Sequence, residues 1–107
     1  MSYSVNTIQP FDKQLKRLVK KYPSLKKELY QLGESLKTDP FQGTSLGNHC
    51  YKIRLAIASK GKGKSGGARV ITHIFISQKT VFLLSIYDKS EQVNIDNKEL
   101  LELIGRI

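Results

Sequence analysis

The spacing of hydrophobic positions changes once along the chain, near residue 43. Before that point apolar side chains recur at helical spacing in two runs, with lysines on the opposite sides. The first run is Phe11, Leu15, Leu18, Val19 and Tyr22, and the second is Leu25, Leu29, Leu32 and Leu36. Pro10 suits a first helical turn, Pro23 separates the runs, and Ser24 can cap the second helix. The pattern predicts a helical hairpin, with a short strand before it in residues 3–8.

After a turn region at residues 43–47, the apolar positions alternate with a period of two. Three segments, CYKIRLAI, ARVITHIFI and TVFLLSIY, therefore predict strands, and the last two are close enough for an antiparallel hairpin. The final stretch, NKELLELIGRI, predicts a short helix. We expect a single α+β domain over residues 1–107, with the helical hairpin packed on one face of a small antiparallel sheet.

Composition limits the class of protein. The chain has 107 residues, of which 39% are hydrophobic, enough for one core. Cys50 is the only cysteine, so neither a disulfide framework nor a zinc motif is expected. No apolar run approaches the roughly 18 residues of a membrane span, and the N-terminus does not have the pattern of a signal peptide. These features predict a soluble intracellular protein.

Charge is distributed unevenly. The formal net charge is +9, yet residues 40–87 contain no acidic residue and seven basic ones. Those seven are Lys52, Arg54, Lys60, Lys62, Lys64, Arg69 and Lys79. A field of one sign in the middle of a small domain favours a polyanionic partner.

The segment SKGKGKSGGARVIT, residues 59–72, holds the densest part of this charge. Its GKS triplet imitates the end of a P-loop, but that motif needs glycine at position 58, where Ala58 stands, and a helix afterwards, where a strand is predicted. We interpret the segment as a glycine-rich hairpin loop. Its lysines, Lys60, Lys62 and Lys64, are the predicted RNA-phosphate contacts.

Several segments together resemble the RelE/ParE superfamily of bacterial toxin–antitoxin toxins, and the HigB-like branch most of all. They are KKYPSLKKEL, GNHCYKIRL, the strand start GGARVI and the ending LLSIYDKSE. The resemblance covers nearly the whole chain. It implies a cytoplasmic bacterial ribonuclease that cuts mRNA in the ribosomal A site and is held in check by a cognate antitoxin.

The resemblance also implies site residues. The basic pair after Cys-Tyr falls on Lys52 and Arg54, the arginine that starts the next strand is Arg69, and the basic residue after the last strand is Lys89. The family's acid–base tyrosine would fall near Ile95, so Tyr87 is proposed in its place.

Metal-independent RNA cleavage suits these residue types. The RNA's own 2′-hydroxyl must lose a proton, an anionic phosphorane must be stabilised, and the leaving 5′-oxygen must gain a proton. Arg54 and Arg69 can bind phosphoryl oxygens through forked, permanently charged guanidinium groups. Lys52 is the candidate base, since neighbouring cations disfavour its charged form, and Tyr87 or Lys89 is the candidate acid. The acid-free segment has no carboxylate cluster for magnesium, and neither a metal nor another cofactor is expected.

Two other functions are also compatible with the sequence. A related class of toxins inhibits DNA gyrase, and the fold alone does not separate the two activities. The third hypothesis is a non-catalytic RNA-binding module, although the sequence lacks the clustered aromatics that stack single-stranded bases.

Overall fold

The computed structural model describes residues 2–61, 63 and 66–107. Its elements follow the predicted order, with one strand added. They are β1 (Ser4–Thr7), α1 (Gln9–Lys21), α2 (Leu25–Thr38), β2 (Thr44–Gly47), β3 (Cys50–Leu55), β4 (Ala68–Phe75), β5 (Thr80–Asp88) and α3 (Asn97–Ile104). The added strand, β2, lies where a turn region was expected, because Thr44 and Ser45 pair with Lys52 and Tyr51 of β3. The α+β class is confirmed.

The five strands form one sheet in the order β1-β5-β4-β3-β2. All neighbours are antiparallel except β1 and β5, which run parallel from Ser4 opposite Thr80 to Thr7 opposite Leu83. The sheet is therefore mixed: the expected antiparallel pairing holds for every other pair of neighbours, and the parallel pair at this edge is an addition. A parallel pair needs a long connection, and here residues 8–79 separate the two strands.

Alternation along the strands divides the side chains between two faces. Val5 and Leu83 lie beside side chains of α2 in one groove, and Ile53 lies beside α2 in another. The helical hairpin therefore packs on this face, as predicted. Lys52 and Arg54 flank Ile53 in sequence and turn to the opposite face, which we call the site face. Within the described ranges, no helix has both the length and the apolar character required to cross a bilayer.

Helix α1 also covers the exposed edge of β5. Strand β1 pairs only with Thr80–Leu83, and the register of β4 with β5 shifts next to Ile71. Beyond β1, the Gln14 side chain replaces a neighbouring strand, because its Oε1 accepts hydrogen bonds from Ile86 N at 2.9 Å and Ser85 Oγ at 3.2 Å. A backbone N–H at the sheet edge is thereby satisfied.

Ser24 precedes α2 as predicted, but it does not cap the helix with its side chain. Its hydroxyl donates to Glu28 Oε1 at 3.1 Å and accepts from the backbone N–H of Ser59 at 2.9 Å. Ser24 N in turn donates to Ser59 Oγ at 2.8 Å. The residue therefore joins the turn between the two helices to the segment after β3, a long-range contact that overrides the local capping preference.

A buried carboxylate connects the ends of several elements. Asp88, at the end of β5, is fully buried and accepts hydrogen bonds from Tyr22 Oη at 2.6 Å and Lys60 Nζ at 2.5 Å. The backbone N–H and hydroxyl of Ser90 donate to the same carboxylate at 2.9 and 2.8 Å. Burial by itself would raise the pKa of Asp88, but these donors outweigh it and the pKa is lowered.

We expect Asp88→Asn to lower the free energy of unfolding by about 3 to 5 kcal/mol at pH 7, because it leaves the Lys60 ammonium without its buried counter-charge. Since the folded-state pKa is depressed, the stabilisation is present above the unfolded value of about 4 and is lost as pH falls further. The difference between wild type and Asp88→Asn should thus shrink below about pH 4. Urea unfolding at pH 7, 5, 4 and 3 measures it.

The matched control is Asp39→Asn, which removes an exposed carboxylate at the end of α2 and should change stability by no more than about 0.5 kcal/mol. Equal stability of Asp88→Asn and wild type at pH 7 would contradict the role given to the buried carboxylate.

Candidate active site

Three of the predicted site residues form one row across the sheet. Arg54 of β3 lies opposite Arg69 of β4, and Arg69 lies opposite Tyr87 of β5. Directly opposed residues point to the same face, with Cβ atoms about 5 Å apart. Lys52, two residues before Arg54, shares that face. We call Arg54, Arg69 and Tyr87 the cross-strand row.

The members of this row differ in exposure. Arg54 is exposed, whereas Arg69 and Tyr87 are each only 4% exposed. One Arg69 guanidinium nitrogen, Nη1, donates to the Ala68 carbonyl at 3.1 Å. In this conformation Arg54 can reach a ligand directly, while Arg69 supplies positive charge from beneath the surface.

An open cleft of about 490 Å³ adjoins the row between β2 and β3. Its walls are Gln42, Gly43, Thr44, Lys52, Ile53 and Arg54. Gly43 has a φ of +97°, and a Cβ at this position would lie 2.4 Å from the carbonyl oxygen of Lys52. Glycine therefore allows the two chain segments to approach closely, and Lys52 and Arg54 line the cleft beside them.

Lys52 has a partner that the sequence did not reveal. Its Nζ donates to Oδ1 of Asn94 at 3.1 Å, across 42 positions of sequence. Asn94 belongs to the segment that joins β5 to α3, and it carries no motif by which it could have been singled out. The contact shows that this segment lies over the site face.

Tyr87 is a buried tyrosine with an unusual hydroxyl. Among the described residues its Oη has no hydrogen-bond partner. Burial raises the pKa of Tyr87, the nearby Arg69 charge opposes this, and Glu99 of α3 raises it further. The hydroxyl therefore stays protonated at neutral pH and can donate a proton rather than accept one.

The remaining predicted residues lie near the end of the row or outside it. Lys89 follows β5 and its backbone N–H donates to the Gly67 carbonyl at 3.1 Å, which places it beside the start of β4. Lys62 and Lys64 lie outside the described residues, and their RNA binding stays a prediction.

Lys60 is bound within the protein. The sequence gives it no acidic neighbour nearby, but the fold places Asp88 and Ser90 Oγ, the latter at 3.2 Å, against its ammonium. The Tyr22 ring lies beneath the same nitrogen, 5.8 Å from ring centroid to Nζ. RNA binding by Lys60 stays a prediction, but the structure supports a role in the fold.

A thiol–imidazole pair also lies on the site face. Cys50 and His73 are opposed in the β3–β4 register, and Sγ lies 3.4 Å from Nδ1. Burial raises the pKa of the Cys50 thiol to about 11 and lowers that of His73. The pair is therefore a neutral contact and not an activated nucleophile, because catalysis by cysteine requires a thiolate. The part of the chain that the structure describes contains no group of three or more potential protein ligands for a metal ion.

The chain is similar to known toxins in sequence and in structure. Residues 11–104 match the family described as the RelE toxin of the RelE/RelB toxin–antitoxin system. A free double arginine-to-alanine mutant of Escherichia coli toxin RelE has a similar structure, with a TM-score of 0.64, 19% identity, and coverage of 100% of this chain and 99% of that one. The same mutant in complex with an antitoxin RelBc peptide has a TM-score of 0.53 and 22% identity, and the match covers 100% of this chain and 99% of that one. A metal-bound toxin from Helicobacter pylori has a TM-score of 0.54 and 27% identity, and the match covers 84% of this chain and 98% of that one.

The orphan hydroxyl predicts the result of a conservative substitution. Tyr87→Phe should leave the free energy of unfolding within about 0.5 kcal/mol of wild type or raise it, because a buried hydroxyl without a partner contributes nothing to the fold. The control is Tyr22→Phe, which removes the 2.6 Å hydrogen bond to Asp88 and should cost about 1.5 to 3 kcal/mol. Urea unfolding of both variants decides the matter. Losses of equal size would show that the Tyr87 hydroxyl is bound in the fold.

Proposed function

The chain belongs to the RelE family of toxins from toxin–antitoxin systems, and we propose that it acts as a ribosome-dependent mRNA endonuclease that inhibits translation. The proposal includes cleavage by the 2′-hydroxyl of the RNA, without a metal, in the bacterial cytoplasm where the ribosomes are. Its partners are the ribosome, mRNA and a cognate antitoxin.

One observation supports the chemistry more than any other: the cross-strand row. The pairing of three strands aligns Arg54, Arg69 and Tyr87 on one face, beside Lys52 and an open cleft. These groups supply cationic charge and a protonated hydroxyl within one region. Cleavage of an RNA phosphodiester requires both.

Each residue is assigned the step that its chemistry suits. Lys52, in its neutral amine form, accepts the proton of the 2′-hydroxyl, whose oxygen then attacks the adjacent phosphorus. The bond from phosphorus to the 5′-oxygen breaks, and Lys89, or Tyr87 once its buried hydroxyl is uncovered, protonates the leaving oxygen. The products are a 2′,3′-cyclic phosphate and a 5′-hydroxyl.

The two arginines divide the electrostatic role. Arg54 is exposed beside the cleft and is proposed to bind the non-bridging oxygens, where charge builds up in the transition state. Arg69 is 4% exposed, so we propose that it acts through its charge from the adjacent strand. This assignment gives Arg54 the direct phosphate contact that both arginines were expected to make.

An antitoxin partner is proposed from the family and from the similarity to a RelE–antitoxin complex. The net charge of +9 suits an acidic or amphipathic antitoxin segment that covers the basic surface.

Arg54→Ala should reduce single-turnover cleavage of mRNA on programmed ribosomes by about 10²- to 10³-fold, the cost typical of a lost transition-state donor. Because Arg54 is exposed, the substitution should change the protein's free energy of unfolding by no more than about 0.5 kcal/mol. The control is Arg106→Ala, an exposed arginine of the C-terminus that pairs with Glu102 at 3.5 Å, and it should cleave like wild type.

The chemistry has its own control. An mRNA with a single 2′-deoxynucleotide at the cleavage position should resist the wild-type protein, because it lacks the nucleophile. Ready cleavage of that substrate would refute the mechanism. DNA breaks with undiminished translation would instead favour inhibition of gyrase.

Expression of the chain alone should arrest growth, and coexpression with the cognate antitoxin should restore it and yield a copurifying complex. Translation rate in vivo and affinity purification measure the two effects. If growth is restored but no complex forms under mild salt conditions, the direct antitoxin partner is wrong.

A further inference from the structure

The contact between Lys52 and Asn94 has a consequence for the site. Lys52 lies half-buried on the wall of the cleft, yet the flexible four-carbon stem of its side chain lets the nitrogen take many positions. An ammonium carries three donors, and Asn94 Oδ1 occupies one of them at 3.1 Å. The contact restricts where the nitrogen can be and leaves the rest of the nitrogen facing the cleft, where its neutral amine form can accept a proton from a ligand.

Asn94 is itself held in place by its own segment. Gln92 Nε2 donates to the Asn94 backbone carbonyl at 2.9 Å, and Gln92 N donates to the Asp88 carbonyl at 3.0 Å. On the other side, Asp96 Oδ1 caps α3 by accepting from Glu99 N at 2.8 Å. A loop residue fastened on both sides can fix a flexible lysine.

We infer that Asn94 is a positioning residue for RNA cleavage, which holds the Lys52 nitrogen beside the cleft in the orientation that the reaction needs. The inference rests on the proposed function. It assigns the segment between β5 and α3 to the site. The group that orients the lysine is the oxygen of an uncharged amide.

An uncharged acceptor suits this position. A carboxylate at the same place would form an ion pair with Lys52 and repel the phosphates of an RNA strand. The amide oxygen accepts one hydrogen bond and adds no charge to a surface that must attract a polyanion. Asn94 therefore orients the lysine without weakening the basic field.

The first test is a double-mutant cycle on programmed ribosomes. Asn94→Ala should lower the single-turnover rate about 10- to 100-fold, in line with the cost of misplacing a catalytic group. Because Asn94 acts through Lys52, the pair Lys52→Ala and Asn94→Ala combined should be no slower than Lys52→Ala alone. Asn97→Ala, an exposed asparagine three residues away at the start of α3, is the matched control and should keep the wild-type rate.

The second test observes the lysine itself. In nitrogen-15 NMR at low temperature, the Lys52 ammonium of the free wild-type protein should show slow hydrogen exchange, and Asn94→Ala should lose that protection. This measurement requires neither ribosome nor RNA.

A wild-type rate in Asn94→Ala, or multiplicative losses in the double mutant, would overturn the positioning role. So would a Lys52 signal that Asn94→Ala leaves unchanged. If the wild-type protein fails to cleave RNA, the proposed function is wrong and the positioning role fails with it. The wild-type rate therefore distinguishes failure of the proposed function from failure of the positioning role alone.

Discussion

The rest of the structure depends on the buried carboxylate of Asp88. It receives hydrogen bonds from Tyr22 at the end of α1, from Lys60 after β3 and from Ser90 after β5. A charge without exposure to water is tolerated only if its hydrogen-bonding capacity is filled, and here four donors fill it. Three segments that are far apart in sequence are thereby joined next to Tyr87 and Lys89.

That junction has a direct bearing on the candidate site. Tyr87 immediately precedes Asp88, and Ala68 lies opposite Asp88 in the sheet. The same register places Arg69 opposite Tyr87 and Arg54 opposite Arg69. A slip of one residue in either pairing would turn these side chains to different faces, so the alignment of the site depends on the register that the junction helps to hold.

The residues of the site face differ in their exposure to solvent. Lys52 and Arg54 lie along the open cleft, whereas Arg69 and Tyr87 are buried. Burial keeps the Tyr87 hydroxyl protonated, since loss of water disfavours the phenolate. In the proposed mechanism, this arrangement combines a phosphate-binding arginine at the surface with a proton donor and a fixed positive charge below it.

The sequence by itself determined the elements, because apolar periodicity records which side of each helix or strand is buried. Both helices of the hairpin, strands β3 to β5 and the terminal helix follow from it, and the shared face of Lys52 and Arg54 follows from alternation. Only the tertiary structure decided the parallel placement of β1, the pairing of β2, the neutral Cys50–His73 contact, and the partners of Lys60 and Lys52. Each of these depends on a contact between segments distant in the chain, and local pattern carries no information on which distant residue will lie opposite. Lys60 shows the difference: its neighbours in sequence predicted a free cation, and folding placed a buried carboxylate against it.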